Sequence, residues 1–537
     1  SHFNDEHEMS TKKNVLLIIT DQHRADHLGC YGNTVVRTPN IDALASKGTR
    51  FDKFYVATPI CMPNRATLMT GRMPSLHGVR HNGIPLSLDA TTFVEVLRES
   101  GYHTALVGKS HLQNISGKPI KMGLPDPEPD LKVPPADLRE ARRGDLNRAI
   151  YNQELPKTWV DDSFDLTLPF YGFDHVSLVV GHGDGVTGHY RRWLHERHPD
   201  PEKLIGPHNA FPTETACPQA WKTRVPEELY STSYIADEAC RLLGEYANSE
   251  SPFFLQCSFP DPHHPFTPPG RYWDMYDPND VDLPEAFHHP EAEIPPHLAA
   301  LHADLQAGRA DATGNTVAGV TDQQARAAIA LTYGSITMID DAIGRILATM
   351  TALGLDDDTL VIFTSDHGDM MGDHKLLLKG ALHYQGLVRV PCIWADPFRP
   401  NAPASTANLC GTLDLAPSIL NFAGITPVNG MQGENLSKIA SEVCERQMVI
   451  EDNPRRAYMG LPSNFVVRTL MTNRWRLSLY SDVTWGELYD LETDPCEFHN
   501  LWHEEEHSEL RTILIEQLLR TMMSLSDRSP LATGHGP

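Results

Sequence analysis

A cysteine at the start of a predicted helix offers the clearest chemistry in this chain. The segment reads Cys61-Met62-Pro63-Asn64-Arg65 and runs on to Gly71. Proline suits the first turn of a helix and glycine suits its end, so the spacing predicts a helix that begins at Cys61. The free N–H groups of a helix N-terminus favour an anion, and Arg65, one turn along, faces the same place. A buried structural cysteine is the alternative that this motif alone leaves open.

Acidic and polar residues follow two predicted strands and form a second candidate group. The apolar run 14–20 is followed by Asp21 and Gln22, and the run 359–363 is followed by Asp366 and His367. A buried carboxylate is rare unless it is paired or binds a metal. Two carboxylates, an amide oxygen and one imidazole suit a divalent cation. For either aspartate alone, capping of a helix N-terminus is the alternative.

Basic residues lie where they could concentrate positive charge near these groups. Lys109 follows the short apolar run 105–107 and is close to His111, while Lys379 precedes a glycine. His263 follows another apolar run, 253–259. Each lysine taken alone is more often a solvated surface residue. Together with Arg65, however, they are the candidate cations for an anionic substrate.

The pattern of apolar runs predicts an α/β fold. Strand-like runs at 14–20, 253–259, 359–363 and 390–394 alternate with helical patterns, of which 321–353 has a period near 3.6. This alternation is typical of a large, doubly wound mixed sheet flanked by helices, in which ligands bind beyond the carboxyl ends of the strands. After Gly424, short strands and a final helix predict a smaller α+β domain with an antiparallel sheet.

Changes in composition suggest the domain boundaries. We predict a catalytic domain over 9–430 and a C-terminal domain over 431–537 that ends in a tail. Residues 1–8 are expected to be an added remnant before a natural start at Met9. The stretch from about 118 to 226 is rich in Pro, Arg and Asp, and we interpret it as an insertion. Within it, residues 181–185 read Gly-His-Gly-Asp-Gly, which is typical of a surface turn; a lid or substrate-contacting loop is the alternative.

The net charge of the chain indicates which partners are disfavoured, and its cysteines indicate the compartment. The 537 residues carry a net charge of −25, which disfavours nucleic acid and anionic membranes as partners. Nine cysteines without paired spacing suggest reduced thiols and a cytoplasmic protein, although a periplasmic location stays open. We also expect a homo-oligomer.

These segments together resemble the sulfatase family of the alkaline phosphatase superfamily. The string from Cys61 to Gly71 resembles the sulfatase signature, in which the cysteine is oxidised to formylglycine. Further matching segments are 14–22, 31–60, 108–112, 262–266, 366–374, 379–380 and 487–501. The resemblance implies an alkaline-phosphatase-like sheet and a small anionic ester as substrate. It also implies that a formylglycine-generating enzyme is the partner that matures the chain.

The resemblance also implies which residues bind the metal. One divalent ion would be held by Asp21, Gln22, Asp366, His367 and the modified Cys61. Many sulfatases have Asp-Asp and Asp-Asn at these two places and bind calcium, whereas this chain has Asp-Gln and Asp-His, as in choline sulfatases and phosphonate monoester hydrolases. Calcium, manganese, magnesium and zinc therefore all stay open, although an imidazole ligand favours manganese or zinc.

The implied mechanism uses the hydrated formylglycine as nucleophile. One hydroxyl, activated by the metal and by Asp366 as base, attacks sulfur or phosphorus, and His263 or Lys379 assists the leaving group. The second hydroxyl then loses its proton to His111, and sulfate is expelled. Arg65 and Lys109 are the further catalytic cations. The residues implied to bind substrate are Asn82, Lys109, His263 and Lys379; for Asn82 a turn residue is the alternative.

Three functions are compatible with these residues. The first is hydrolysis of aryl or alkyl sulfate monoesters, which the pair Lys109 and His111 favours. The second is hydrolysis of phosphonate monoesters or phosphodiesters with promiscuous sulfatase activity, which the Asp-Gln and Asp-His pattern favours. The third is an inactive sulfatase-like binding protein, which would require an unconverted Cys61 or a broken metal set.

Overall fold

Parallel strands from distant parts of the chain form the centre of the molecule. The computed structural model describes residues 11–116, 144, 146, 148–290, 294–454, 458–462, 465–532 and 534. In chain order the strands are β1 (Asn14–Thr20), β2 (Thr49–Phe51), β3 (Phe54–Tyr55), β4 (His103–Gly108), β5 (His175–Val180), β6 (Thr187–Gly188), β7 (Phe253–Ser258), β8 (Ala318–Gly319), β9 (Thr359–Ser365), β10 (Leu376–Leu377), β11 (Cys392–Ala395), β12 (Ser405–Thr406), β13 (Cys410–Gly411), β14 (Met448–Asp452), β15 (Val467–Met471), β16 (Trp475–Tyr480) and β17 (Gly486–Asp490).

Nine strands of the described residues form one mixed sheet. Their order is β12-β2-β11-β9-β1-β7-β4-β5-β6. From β9 through β5 neighbouring strands run parallel, whereas β11 is antiparallel to β9, and β6 to β5. The predicted large mixed sheet is confirmed.

Helices cover both faces of this sheet. They are α1 (Pro39–Ser46), α2 (Cys61–Thr70), α3 (Pro74–His77), α4 (Phe93–Glu99), α5 (His189–Arg197), α6 (Ser231–Ala247), α7 (Pro296–Gln306), α8 (Asp322–Ala352), α9 (Gln385–Val388), α10 (Leu415–Phe422), α11 (Leu436–Ser441) and α12 (Ser508–Ser524). Successive side chains of a strand point to opposite faces, so a strand covered on both sides must be apolar throughout. In β1, Val15, Leu17 and Ile19 pack in the core with α4 and α10, while Leu16 and Ile18 pack in the core with α6 and α8.

The longest helix has the ends that its sequence predicts. Thr321 accepts a hydrogen bond from the N–H of Gln324, whose side chain in turn accepts from the N–H of Thr321, which is a capping box. Ile336, Ile339, Ile343 and Ile346 are buried along one face of α8. This helix therefore lies along the sheet rather than projecting from it.

Part of the predicted insertion belongs to the main sheet. Residues 144, 146 and 148–226 of that stretch are described, and they include β5, which pairs in parallel with β4. Val179 and Val180 of β5 are buried, and α5 packs against the strand with Leu194. The short apolar run 176–180 is thus a fifth parallel strand, and its carboxyl end reaches the same edge of the sheet as the others.

The C-terminal strands form a separate antiparallel sheet in the order β14-β15-β16-β17. Leu514 and Leu518 of α12 pack against Leu470, Leu477 and Leu488 of this sheet. The predicted smaller α+β region is confirmed, whereas the exact position of the domain boundary stays a prediction. Over the described ranges, none of the helices has the combination of length and apolar character that crossing a bilayer requires.

A buried polar network connects this sheet to the segment that carries Lys379. The carboxylate of Glu487 in β17 accepts hydrogen bonds from the hydroxyl groups of Tyr384, Tyr480 and Tyr489, at 2.5, 2.6 and 2.8 Å. The guanidinium group of Arg476 lies 4.6 Å from the ring centres of both Tyr384 and Tyr489 and pairs with Glu497. Tyr384 lies just before α9, five residues after Lys379. The network therefore ties the segment that carries Lys379 to the C-terminal sheet.

Candidate active site

The carboxyl ends of adjacent parallel strands bring the predicted site residues together. Asp21 follows β1, Asp366 follows β9, Lys109 follows β4 and His263 follows β7. These strands are neighbours in the sheet, in the order β9-β1-β7-β4. The site therefore lies at the edge of the sheet where open α/β sheets bind ligands.

Cys61 begins α2, as its sequence predicts. Ile60 is extended, and Gly71 ends the helix with φ of 64°, a left-handed conformation that favours glycine. The side chain of Asn64 accepts a hydrogen bond from the N–H of Ala57 at 3.0 Å and donates one to the carbonyl oxygen of Asp366 at 2.6 Å. The first turn of α2 is thereby held against the end of β9, and Cys61 is 1% exposed.

Asp21, Cys61, Asp366 and His367 present ligand atoms that all lie within 4.8 Å of one another. The Nε2 atom of His367 lies 3.0 Å from the sulfur of Cys61 and 3.4 Å from Oδ1 of Asp21. Its Nδ1 atom is 2.7 Å from the carbonyl oxygen of Gly368, so Nε2 is the atom that faces the cluster.

Unsatisfied buried atoms indicate that a ligand belongs in this cluster. Oδ1 of Asp21 and both polar side-chain atoms of Gln22 are buried without a hydrogen-bond partner in the described part of the chain. Such groups are costly unless a partner is bound. Carboxylate and amide oxygens with one imidazole are suitable ligands for a divalent cation. The residues present therefore fit the metal ion that the sequence predicts.

Basic side chains surround the two aspartates. Nε of Arg65 donates to Oδ2 of Asp366 at 2.8 Å, and Lys109 pairs with Oδ2 of Asp21. Burial alone would raise the pKa of Asp21, but Lys109, His263 and Arg65 together hold that pKa well below its ordinary value. Asp21 is thus held as a carboxylate in a fully buried place.

Lys379 contacts the side chain of residue 61 directly. Its Nζ atom lies 2.8 Å from the sulfur of Cys61, 3.0 Å from Nε2 of His367 and 3.3 Å from Nε2 of His263. Burial opposes ionisation of the Cys61 thiol, yet Lys379, His367 and Lys109 lower its pKa to about 7. Negative charge on the side chain of residue 61 is therefore stabilised by the surrounding cations.

His182 is a site residue that the sequence analysis assigned to a surface turn. Its Nε2 atom lies 2.7 Å from Nζ of Lys109 and 3.3 Å from Oδ2 of Asp21. Asp21, His182 and His263 form a second group whose ligand atoms are within 4.8 Å. These atoms already face the ammonium groups of Lys109 and Lys379. The group therefore holds two cationic side chains that could bind an anion, and we do not interpret it as a second cation site. The position of His182 after the apolar run 176–180 is the signal that could have identified it.

His111 is held in position by a glutamate that the sequence analysis did not identify. The carboxylate of Glu154 accepts the backbone N–H groups of His111, Leu112 and Gln113 at 2.7, 3.0 and 2.6 Å. His111 has φ of 53°, and its Nδ1 is buried without a partner among the described residues. Burial, Lys109 and His182 place the pKa of His111 well below its ordinary value. A neutral imidazole is thus available beside Lys109.

The side chain of Asn82 contacts the first turn of α2. Its side-chain oxygen accepts the N–H of Met62 at 3.1 Å. This places Asn82 next to residue 61, while its contact with a substrate stays a prediction, as do the catalytic roles of the other site residues.

The family model described as "Sulfatase" matches residues 13–425, and the model "N-sulphoglucosamine sulphohydrolase, C-terminal" matches residues 372–524. An arylsulfatase of Clostridium perfringens is 30% identical, covering 98% of both chains. A choline-sulfatase of Rhizobium meliloti is 26% identical, covering 91% of this chain and 82% of the relative. The crystal structure of a phosphonate monoester hydrolase of Agrobacterium radiobacter is similar with a TM-score of 0.73, 26% identity and 97% coverage of each chain.

Proposed function

Because the chain belongs to the sulfatase family of sulfuric ester hydrolases, we propose that it cleaves sulfate monoesters with formylglycine, derived from Cys61, as the nucleophile. One observation carries this proposal: the side chain of residue 61 lies at a helix N-terminus, 2.8 Å from Lys379 and 3.0 Å from His367. A buried structural cysteine has no need of either partner.

Two groups that the family implies would complete the site. Asp21, Gln22, Asp366, His367 and residue 61 would hold a divalent cation, which supplies positive charge against the sulfate oxygens. The hydrated formylglycine supplies a hydroxyl nucleophile and a second hydroxyl for release of sulfate. Conversion of Cys61 requires a formylglycine-generating enzyme, which we propose as the maturation partner.

The chain's own residues then divide the remaining tasks. Lys109 and Lys379 each have N–H groups to donate to ester oxygens, and a lysine can donate three such bonds. Lys379 and His263 are the groups placed to transfer a proton to the leaving oxygen. Asp366 accepts the proton of the nucleophile, and His111, held neutral, accepts the proton that is lost on sulfate release.

A substrate panel on converted, metal-loaded enzyme tests the proposal. Mass spectrometry of the peptide containing residue 61 first measures the converted fraction, and kcat/KM is then compared for 4-nitrophenyl sulfate and a 4-nitrophenyl phosphonate monoester. We expect sulfate ester hydrolysis in proportion to conversion and a loss of turnover of at least about a thousandfold in Cys61→Ala. Full activity of Cys61→Ala, or of the unconverted protein, would refute the assignment of formylglycine at residue 61 as the nucleophile.

Hydrolysis of phosphonate monoesters is the second candidate function. His367 belongs to the group of candidate metal ligands, and Gln22, next to Asp21, has a buried amide without a partner among the described residues. A phosphonate monoester hydrolase is similar over 97% of both chains. A clear preference for the phosphonate in the same panel would favour this function.

A further inference from the structure

His182 reaches the active site from the stretch that the sequence analysis interpreted as an insertion. It follows β5, and its imidazole contacts two of the groups to which we assign chemistry. We infer that His182 is a positioning residue that fixes both the ammonium of Lys109 and the ring of His263. This inference rests on the proposed function, because it concerns how two of its reacting groups are held.

The contact with Lys109 sets the direction of the ammonium group. Nζ of Lys109 contacts two neighbouring atoms, Oδ2 of Asp21 and Nε2 of His182, the latter at 2.7 Å. Two of its three N–H bonds are thereby directed, and the third is left for a substrate oxygen. Without His182, Asp21 would be the one remaining hydrogen-bond partner of the ammonium among the described residues, and Asp21 is itself assigned to the metal.

The contact with His263 sets the plane of an imidazole. The rings of His182 and His263 are stacked, with centroids 3.6 Å apart and planes at 11°. His264 stacks on His263 at 4.0 Å and is held by Asn315, at 2.8 Å from its Nε2. This stack keeps Nε2 of His263 within 3.3 Å of Lys379, which is the pair that we expect to protonate the leaving group.

The loop that carries His182 packs closely against the segment that contains His264 and Pro265. Gly183 has φ of 64°, and a Cβ at this position would lie 2.7 Å from the ring of Pro265, next to His264. The buried carboxylate of Asp184 accepts hydrogen bonds from the N–H of Gly206, the indole of Trp221 and the hydroxyl of Thr223, at 3.0, 3.0 and 2.7 Å. The sequence therefore places His182 by specific contacts and not as part of an unconstrained surface turn.

Two substitutions separate the two contacts. His182→Phe keeps an aromatic ring for stacking but removes the nitrogen that faces Lys109. His182→Gln keeps a hydrogen-bonding oxygen near the position of Nε2 but removes the stacked ring. His208→Gln, at an exposed position outside the site, is the matched control. Melting temperature and the converted fraction of Cys61 are measured for every variant. If His182→Phe does not fold, His182→Ala is compared with His182→Gln: both lack the ring, so a higher KM in His182→Ala alone reports the hydrogen bond to Lys109.

The two variants are expected to differ in which step they impair. For His182→Phe we expect kcat/KM to fall about 10- to 100-fold, with a higher KM, on good and poor leaving groups alike, since a hydrogen bond to a charged group is lost. For His182→Gln we expect KM to stay close to wild type, while kcat falls more on an alkyl sulfate than on 4-nitrophenyl sulfate, because proton transfer matters most for a poor leaving group.

The outcomes distinguish this inference from its alternatives. Wild-type kinetics in both variants would overturn it, provided that the parent enzyme hydrolyses the ester; absence of activity in the parent refutes the proposed function instead. Equal losses in both variants on every substrate would also overturn it, as they indicate only a structural role. A zinc content of two ions per parent chain that falls to one in both variants would replace it with a second metal site.

Discussion

Gln22 has a buried side chain whose oxygen and nitrogen both lack a hydrogen-bond partner within the described ranges. Its φ of 64° is uncommon for a residue with a side chain, and such backbone strain is most often found at functional sites. The neighbouring Oδ1 of Asp21 is unsatisfied in the same way. A shared ligand is the simplest explanation for adjacent unsatisfied groups.

We therefore predict that Gln22→Ala weakens metal binding. Removal of the amide oxygen takes away one ligand, and we expect the dissociation constant for Mn²⁺ or Ca²⁺ to rise roughly tenfold or more. The measurement is calorimetric titration of protein stripped with a chelator. Gln323→Ala, at an exposed position of α8, is the control and should bind like wild type. An unchanged dissociation constant in Gln22→Ala would remove Gln22 from the metal set.

His27 allows a prediction of pH dependence away from the reacting groups. Its ring lies edge-on to Tyr333, with centroids 5.1 Å apart, and the charged groups facing it are Asp26 and Arg24, with His23 nearby. Burial is the largest cause that lowers its pKa from 6.5 to about 3; Asp26 opposes this shift, and Arg24 and His23 add to it. As pH falls, the unfolded chain therefore takes up the proton before the folded one. The resulting stability is complete above pH 6.5 and is lost as pH falls toward 3.

In His27→Gln the part of the pH dependence of stability that comes from His27 should disappear. Between pH 7.5 and pH 5 we expect the wild-type protein to lose about 2 kcal/mol more than the variant. Melting temperatures at the two pH values measure the difference, with His208→Gln expected to follow the wild type. A parallel decline in His27→Gln and wild type would mean that His27 binds a proton equally well in both states.

At the scale of elements, the strand ends were the most informative part of the sequence. Apolar runs followed by polar residues predicted Asp21, Asp366, Lys109 and His263, and the parallel sheet brings these residues together. Cys61 was predicted from the helix signals of proline and glycine, which are local. These features depend on short segments, so one sequence is enough to recognise them.

Residues held by long-range contacts were not recognised. His182 was assigned to a surface turn because its glycines are typical of one, and only the pairing of β4 with β5 places it beside Lys109. Glu154 acts through hydrogen bonds to backbone groups some forty residues earlier, which leave no local pattern. Burial and pairing partners, rather than residue type, identify both.

The turn after β4 is held by Glu154, and this contact can be tested. In Glu154→Gln, the amide nitrogen cannot accept a hydrogen bond, so at least one of the N–H groups of His111, Leu112 and Gln113 loses its acceptor. We expect a loss of about 1–3 kcal/mol of stability and a lower kcat, because His111 no longer keeps its position. Thermal unfolding and steady-state kinetics measure the two effects, with Glu228→Gln as an exposed control. A stable variant with normal kcat would show that the turn needs no such support.

At the scale of the whole molecule, the buried pairs of Arg476 connect the C-terminal sheet to the segment of Lys379. Removing one partner of a buried ion pair leaves an uncompensated charge, which costs roughly 3–5 kcal/mol. We therefore expect Arg476→Met to lower the melting temperature strongly. Arg476→Met combined with Glu497→Gln should recover part of the loss, since one of the uncompensated carboxylates is gone. If Arg476→Met melts like wild type, the network does not stabilise the packing of the C-terminal sheet against the segment of Lys379.

Charge is distributed unevenly over the molecule. The chain has a net charge of −25, yet Lys109, Arg65 and Lys379 are only 1%, 3% and 5% exposed. The positive charge for the substrate is therefore kept within the protein, where salt screens it weakly. An acidic exterior and a basic interior site are thus compatible.

The burial of Cys61 also restricts the order of events in biogenesis. With 1% of its surface accessible and its helix held by Asn64, the thiol cannot be reached by another enzyme once the sheet has closed around it. Under the proposed function, oxidation of Cys61 to the aldehyde is therefore expected before tertiary folding, while residues 61–71 are still an extended peptide. Each newly made chain would then have a limited period for this conversion, and a molecule that folded first would keep its thiol and lack the proposed nucleophile.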